Sequence, residues 1–215
     1  MEFSDASARD LILKKLKPNQ NILAVSKLQP IEKIESLYQA GQRDFAENYI
    51  QEAIEKIDIL KNLAIQWHLI GAIQKNKVKF LQKKFLYIHS VDSFELAKKI
   101  SDNAQEMNHI QKVFIQVNLA EEATKAGLYE KDFVEKWALF NSLRGIEIVG
   151  LMTMPPLEND GEKNRIYFKK LKKIANQLQL KELSMGTSQD YEAALEEGAT
   201  WVRLGTILFG ERKQK

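Results

Sequence analysis

Eight short apolar runs alternate with longer amphipathic segments along this 215-residue chain, and that alternation restricts the fold more than any other feature. The runs occupy residues 22–25, 43–46, 65–70, 85–90, 112–117, 146–152, 181–184 and 200–204. Runs of this length with no polar alternation fit strands buried on both faces, as parallel strands are. The segments 31–40, 50–60 and 94–107 have helical spacing, and 167–178 puts Phe168, Leu171, Ile174, Ala175 and Leu178 on one face. A further helix, about 6–16, precedes the first strand. Strand–helix alternation reads as α/β, and eight is the number that closes a (β/α)8 TIM-type barrel. A doubly wound open sheet gives a similar pattern, and periodicity alone does not separate the two. Pro18, Gly41, Gly198 and Pro155-Pro156 punctuate the pattern where elements end. No Pro/Gly/Ser-rich linker divides it, so residues 1–215 are expected to form one barrel domain.

Composition removes several functions. There is no cysteine, which excludes disulfides, thiolate catalysis and Cys-ligated metals. Net charge is only +3, too slight to imply nucleic acid. The cluster Lys75, Lys77, Lys79, Lys83 and Lys84 reads as a solvated face. No signal peptide and no membrane span are visible, so a cytoplasmic protein is expected. His68, His89 and His109 lack metal-ligand spacing.

In a barrel the working residues lie at the C-terminal ends of the strands, and several apolar runs here end in polar residues. The first ends in Ser26-Lys27, the second in Glu47-Asn48, and the third carries Trp67-His68 and runs into Gly71. The fifth is followed by Asn118, the sixth by Thr153, the seventh by Ser184-Met185-Gly186-Thr187-Ser188, and the eighth holds Arg203 before Gly205-Thr206. Lys27 would rest its stem on apolar walls, where desolvation frees an amine to attack an aldehyde; the plain alternative is an exposed lysine beyond the strand. The turn at 184–188 leads into a helix and suits a phosphate, or Ser188 simply caps the helix 189–197. The turn at Gly205-Thr206 sits where barrels often complete a phosphate site. Arg203 could face a ring nitrogen or pair with an acid such as Glu47. A lone His68 in an apolar strand is as readily a satisfied core residue.

Taken together, the segments AVSKLQP (24–30), GQRDFAENYIQE (41–52), WHLIGAIQKNK (67–77), IHSVDS (88–93), IQVNLAEEATKAG (115–127), GLMTMPP (150–156) and LSMGTSQDYEAALEEGATWVRLGTILFGER (183–212) resemble the pyridoxal phosphate homeostasis proteins. These are related to the N-terminal barrel of alanine racemase. The resemblance implies a (β/α)8 barrel carrying pyridoxal 5′-phosphate (PLP) as a Schiff base. Residue by residue, Lys27 matches the Schiff-base lysine. Ser184, Gly186, Ser188, Gly205 and Thr206 match phosphate-holding positions. Arg203 matches the arginine facing the pyridine nitrogen, and Asn48 and His68 match positions lining the cofactor pocket. The chain departs from the family pattern at Ala46, Leu69, Ala120, Thr124 and Thr187.

The implied function is custody of PLP in vitamin B6 and amino-acid homeostasis, without robust catalysis. An arginine does not favour the protonated pyridine that makes PLP a strong electron sink. A small racemase or lyase is the competing expectation, but racemisation needs an acid/base on each face of the substrate carbon. No motif places a tyrosine opposite Lys27, and no racemase-type C-terminal β-domain is expected. A sugar-phosphate barrel is allowed by fold analogy but gives no reason for the Lys27 segment. The expected protein is monomeric, with transient contact to PLP-dependent apoenzymes and no membrane or nucleic-acid partner.

Overall fold

The computed structural model describes residues 5–122, 124–156 and 161–210. Residue 123 and residues 211–212 of the segments quoted above lie outside the described residues. The strands are β1 (Asn21–Val25), β2 (Asp44–Glu47), β3 (Gln66–Leu69), β4 (Tyr87–Val91), β5 (Gln111–Gln116), β6 (Ile146–Met152), β7 (Glu182–Thr187) and β8 (Trp201–Leu204). They pair in chain order and close into a barrel, β8 returning to β1 in parallel with Leu23 opposite Arg203. That closure selects the barrel over the open sheet. All eight apolar runs became strands, most of whose residues are buried, inside by the barrel or outside by helices, with exceptions such as exposed Gln66 on β3 and Glu147 on β6.

The helices are α1 (Asp5–Leu13), α2 (Ile31–Gln39), α3 (Ile50–Ile59), α4 (Phe94–Glu106), α5 (Glu130–Glu135), α6 (Trp137–Asn141), α7 (Gly161–Gln177), α8 (Tyr191–Glu196) and α9 (Thr206–Phe209), with a 3-10 helix at Lys75–Phe80. α4 begins where Ser93 Oγ accepts from the Leu96 N–H, the expected service of a serine N-cap. α1 is the extra helix ahead of the first strand. Among the described residues no helix is long and apolar enough to cross a membrane.

The expected first helix, about 6–16, ends already at Leu13, and the fourth run becomes a strand over Tyr87–Val91. Three other boundaries that differ from the sequence reading have a local cause. α7 starts at Gly161, not near 167, because its first turns are anchored by a polar contact: buried Asn164 donates Nδ2–H to Asp190 Oδ2 at 2.8 Å. β7 runs on past Ser184 through buried Met185 to Gly186 and Thr187, the last two carrying no apolar signal. Gly186 there has φ +89, and a Cβ would lie 2.5 Å from Ala194 Cβ, so this position admits no side chain. The helix expected over 189–197 begins at Tyr191 with Asp190, not Ser188, at its N-cap. Asp190 Oδ1 accepts from the Thr187 N–H at 2.6 Å and closes that turn itself, which leaves Ser188 directed elsewhere.

The core divides at the sheet. The outer layer holds Ile34, Leu37, Phe45, Leu96, Phe133, Phe140, Phe168 and their neighbours. The interior is a smaller cluster of Leu23, Ala46, Phe114, Met152 and Trp201. The basic cluster forms the 3-10 helix and the turn after it; Val78 is its buried anchor and its lysines lie outward or half-buried.

Candidate functional site at the C-terminal ends of the strands

A cavity of about 460 Å³ opens at the C-terminal rim, within the range of small-molecule sites. Lys27, Asn48, Gly71, Gln116, Met152, Met154, Ser188, Arg203, Gly205 and Thr206 are among its lining residues. Six of the nine residues singled out from the sequence therefore face one space. The other three do not line it. His68 and Ser184 are fully buried in the barrel interior beneath it, and Gly186 serves the backbone turn described above.

Lys27 follows β1 in a turn closed by Gln29 N–H to Ser26 C=O at 3.0 Å. Leu28 adopts φ 59, a left-handed conformation that costs a non-glycine residue about 1–2 kcal/mol. A buried ionic cluster holds the turn there. Lys56 on α3 donates to Ser26 C=O at 2.6 Å, to Glu47 Oε1 at 2.7 Å and to Glu52 Oε1 at 2.7 Å. Ser26 Oγ donates to Glu47 Oε1 at 2.7 Å, and Glu52 Oε1 accepts from the Leu28 N–H at 2.6 Å. Both peptide neighbours of Lys27 are thus tied to one cluster. Burial pushes the Glu47 carboxyl above the usual range, against the pull of Lys56. Glu47 is therefore the partner of Lys56 and Ser26, which corrects the expectation that it could pair with Arg203. The sequence signal for the cluster was a lysine on the inner face of α3, in register with Ile50, Ala53 and Leu60.

On the opposite wall, Ser188 Oγ accepts from the Gly205 N–H at 3.4 Å, so the turns after β7 and β8 meet. Gly71 supports Asn48: a Cβ at residue 71 would lie 2.0 Å from the Asn48 carbonyl oxygen. Asn48 Oδ1 is itself buried with no hydrogen-bond partner among the described residues, and an orphaned acceptor beside a cavity is a place for a ligand donor.

Arg203 is buried, and its guanidinium donates to Ser184 Oγ at 2.9 Å, Thr153 C=O at 3.0 Å and Met154 Sδ at 2.9 Å. Burial lowers its pKa to about 10, which leaves it a cation at neutral pH. Below it, His89 Nδ1 lies 2.8 Å from Ser184 Oγ, and His89 Nε2 lies 3.0 Å from His68 Nδ1. His68 Nε2 lies 3.2 Å from Asp44 Oδ1. His89 also stacks on Phe114, 4.3 Å between ring centroids. In the sequence His89 is weighed only as a metal ligand, with no hint of its contact with His68 and Ser184; the available signal was its place inside a strand run, on β4 beside the His68 strand. Among the described residues no group of ligating side chains could hold a metal ion.

Burial holds His68 below and His89 well below the ordinary histidine range. Their stability contribution is therefore present above the unfolded pKa of about 6.5 and lost as pH falls, because the unfolded chain takes up protons that the folded chain refuses. Urea unfolding between pH 7.5 and 5.5 should show a histidine-derived loss approaching about 1.4 kcal/mol per pH unit for each ring. His89→Phe should make the slope shallower by one proton; an unchanged slope would contradict neutral burial.

A sequence model of the alanine racemase N-terminal domain matches residues 10–213. The chain is 43% identical over 198 residues to a pyridoxal phosphate homeostasis protein of Aquifex aeolicus, covering 89% of this chain and 87% of that one. It is 40% identical over 208 residues to one of Synechocystis, covering 94% and 95%. The structure of PipY from Synechococcus elongatus with PLP bound superposes with a TM-score of 0.91 at 37% identity, over 96% of this chain and all of that chain. Alanine racemase of Clostridium difficile shares the fold, with a TM-score of 0.78 at 18% identity, over 99% of this chain and 58% of that chain.

Proposed function

This chain belongs to the alanine racemase N-terminal domain family, alongside the pyridoxal phosphate homeostasis proteins, and from there we propose that it holds PLP as a Schiff base on Lys27 in the service of PLP and amino-acid homeostasis. The observation that carries this reading is one cavity bounded by Lys27, by the small-residue turns at Ser188 and Gly205-Thr206, and by Arg203. The residues fit the group. The amine meets an aldehyde, the turns offer hydroxyl and backbone donors to a phosphate, and Asn48 Oδ1 has an acceptor to spare. When bound, PLP supplies a reactive carbonyl carbon and an aromatic ring able to take up electron density. Lys27 supplies the attacking nitrogen, and the Lys56 cluster orients the turn that carries it. Arg203 presents N–H donors and positive charge, which favours an unprotonated ring nitrogen.

Custody without robust turnover is supported by the lining. Among the described residues on the cavity wall, Lys27 and Arg203 carry the ionisable groups, and a guanidinium is a poor general base. Two-base chemistry at a substrate carbon asks for a second acid/base. Purified protein loaded with PLP should therefore turn over no member of an L-amino-acid panel robustly. Turnover that disappears in Lys27→Ala would replace custody with racemase or lyase activity. In equilibrium titration PLP should outbind pyridoxal, which lacks the phosphate. Ser188→Ala with Thr206→Val should weaken PLP by about tenfold, the worth of one or two hydrogen bonds to a charged group, and leave pyridoxal nearly unchanged. Equal losses for both ligands would place the phosphate elsewhere. The working state in this reading is a cytoplasmic monomer that meets PLP-dependent apoenzymes transiently; light scattering showing a tight dimer would overturn the monomer.

A further inference from the structure

Beneath the cavity, five polar side chains form a continuous chain through an otherwise apolar barrel interior. Arg203 contacts Ser184, Ser184 contacts His89, His89 contacts His68, and His68 contacts Asp44 at the N-terminal end of β2. The direction of this chain follows from its ends. A guanidinium has donors only, and an ionised carboxylate has acceptors only. Ser184 Oγ must accept from Arg203 and give its own proton to His89 Nδ1. That makes His89 the Nε2–H tautomer, which donates to His68 Nδ1. His68 is then also the Nε2–H tautomer and donates to Asp44 Oδ1. Every link is satisfied, and both rings are neutral.

We propose that Asp44, His68, His89 and Ser184 form a one-way hydrogen-bond relay that orients Arg203 against the cavity, so that His68 and His89 are positioning residues for the ring nitrogen of the bound cofactor. The proposal rests on the PLP reading for its last clause and on geometry alone for the rest. Two buried imidazoles are a costly way to fill space that Leu23, Phe114, Met152 and Trp201 fill elsewhere. A second proton on His89 would turn Nδ1 into a donor facing the Ser184 hydroxyl. Ser184 would then accept from both Arg203 and His89 and have to point its own hydrogen elsewhere, so the one-way order would be lost at the Ser184–His89 link, one bond from Arg203. The surroundings oppose that proton. Around the pair stand Asp44 from β2, Tyr87 from β4, Phe114 from β5, Ser184 from β7, and Trp201 and Arg203 from β8. Arg203 repels charge on His89. Tyr87, pushed up to about 12 by burial and by Glu182, Glu147 and Asp44, stays neutral.

The test has one arm without PLP and one with it. In the first, imidazole nitrogen NMR on the PLP-free protein should find His68 and His89 as neutral Nε2–H tautomers from pH 8 to pH 6. The Arg203 guanidinium protons should exchange slowly in the wild type and faster in His89→Phe, where the Ser184 hydroxyl loses the partner that fixes it. They should exchange at least about tenfold faster in Ser184→Ala, which removes the bond to the charged group itself. A charged ring, an Nδ1–H tautomer on either histidine, or unchanged exchange in His89→Phe would overturn the relay. In the second arm, the pH midpoint of the bound-PLP absorbance should move by about one unit in His89→Phe, about a tenfold effect seen as a protonation equilibrium. His89→Gln, which can still accept and donate, should restore most of it. A profile identical in wild type and His89→Phe would remove the link to the cofactor. If the wild type takes up no PLP, the PLP reading fails while the first arm still decides the relay. Should His89→Phe not fold, Ser184→Ala cuts the same chain one link higher.

Discussion

Lys27→Ala should abolish covalent retention of PLP while leaving the barrel folded. Wild-type protein mixed with PLP should develop the absorbance band of a lysine-linked cofactor, and borohydride should fix the label to Lys27. In Lys27→Ala no band and no fixed label are expected. Reversible binding through Ser188, Gly205 and Thr206 should persist, weaker by about 100-fold, or about 2.7 kcal/mol. Stability should change by less than about 1 kcal/mol, since the side chain is only half-buried. That combination separates a binding defect from a folding defect. Were the band to survive in Lys27→Ala at full strength, another lysine would hold the cofactor and the central reading would fall.

The second large effect is expected away from the cavity. Lys56→Met removes the cation from a cluster in which Glu47 is fully buried. One carboxylate oxygen of Glu47, Oε2, already has no hydrogen-bond partner among the described residues. Breaking a buried pair by deleting one partner costs about 3–5 kcal/mol, because the remaining charge keeps its desolvation cost. The sign of the pH dependence follows. Without Lys56 the folded pKa of Glu47 rises further above its unfolded value. Between those two values the folded state binds the extra proton, so stability falls as pH rises through that window. The variant should therefore lie close to wild type near pH 5 and far below it at pH 7.5 in urea unfolding. A difference under about 1 kcal/mol at pH 7.5, or one that does not grow with pH, would contradict the burial of this pair. Lys56→Met with Glu47→Gln should recover part of the loss. Retention of PLP should drop as well, because Ser26 C=O loses its donor and the Lys27 turn loses its anchor.

The architecture was legible because buried parallel strands must be apolar on both faces, and runs such as 112–117 and 146–152 advertise that. Boundaries failed where polar residues do structural work, as at Asn164 and Asp190. The cavity residues Lys27, Asn48, Ser188, Arg203, Gly205 and Thr206 could be named from strand ends and from the family resemblance. Ser184 and His68 could be singled out too, but not their depth. In a closed barrel the residues on a strand alternate between interior and exterior, and the height of a side chain along the axis is set by strand tilt, which no local pattern encodes. The Lys56 cluster and the His68–His89 contact join residues on different elements. Pairings of that kind come from the packing of separate segments and are invisible to any window of sequence.

The barrel closes by pairing β8 with β1, and this has a consequence for when the site exists. A ribosome delivers Lys27 176 residues before Arg203, which at about 5–20 residues per second is roughly 9–35 s earlier. Until Arg203 settles opposite Leu23, Lys27 has neither the turn at Gly205-Thr206 nor the guanidinium beside it. An unfinished chain, or one broken before its eighth strand, carries the amine without the pocket. If Lys27 holds PLP as proposed, the complete pocket for it is in this way reserved for molecules whose synthesis and folding are complete.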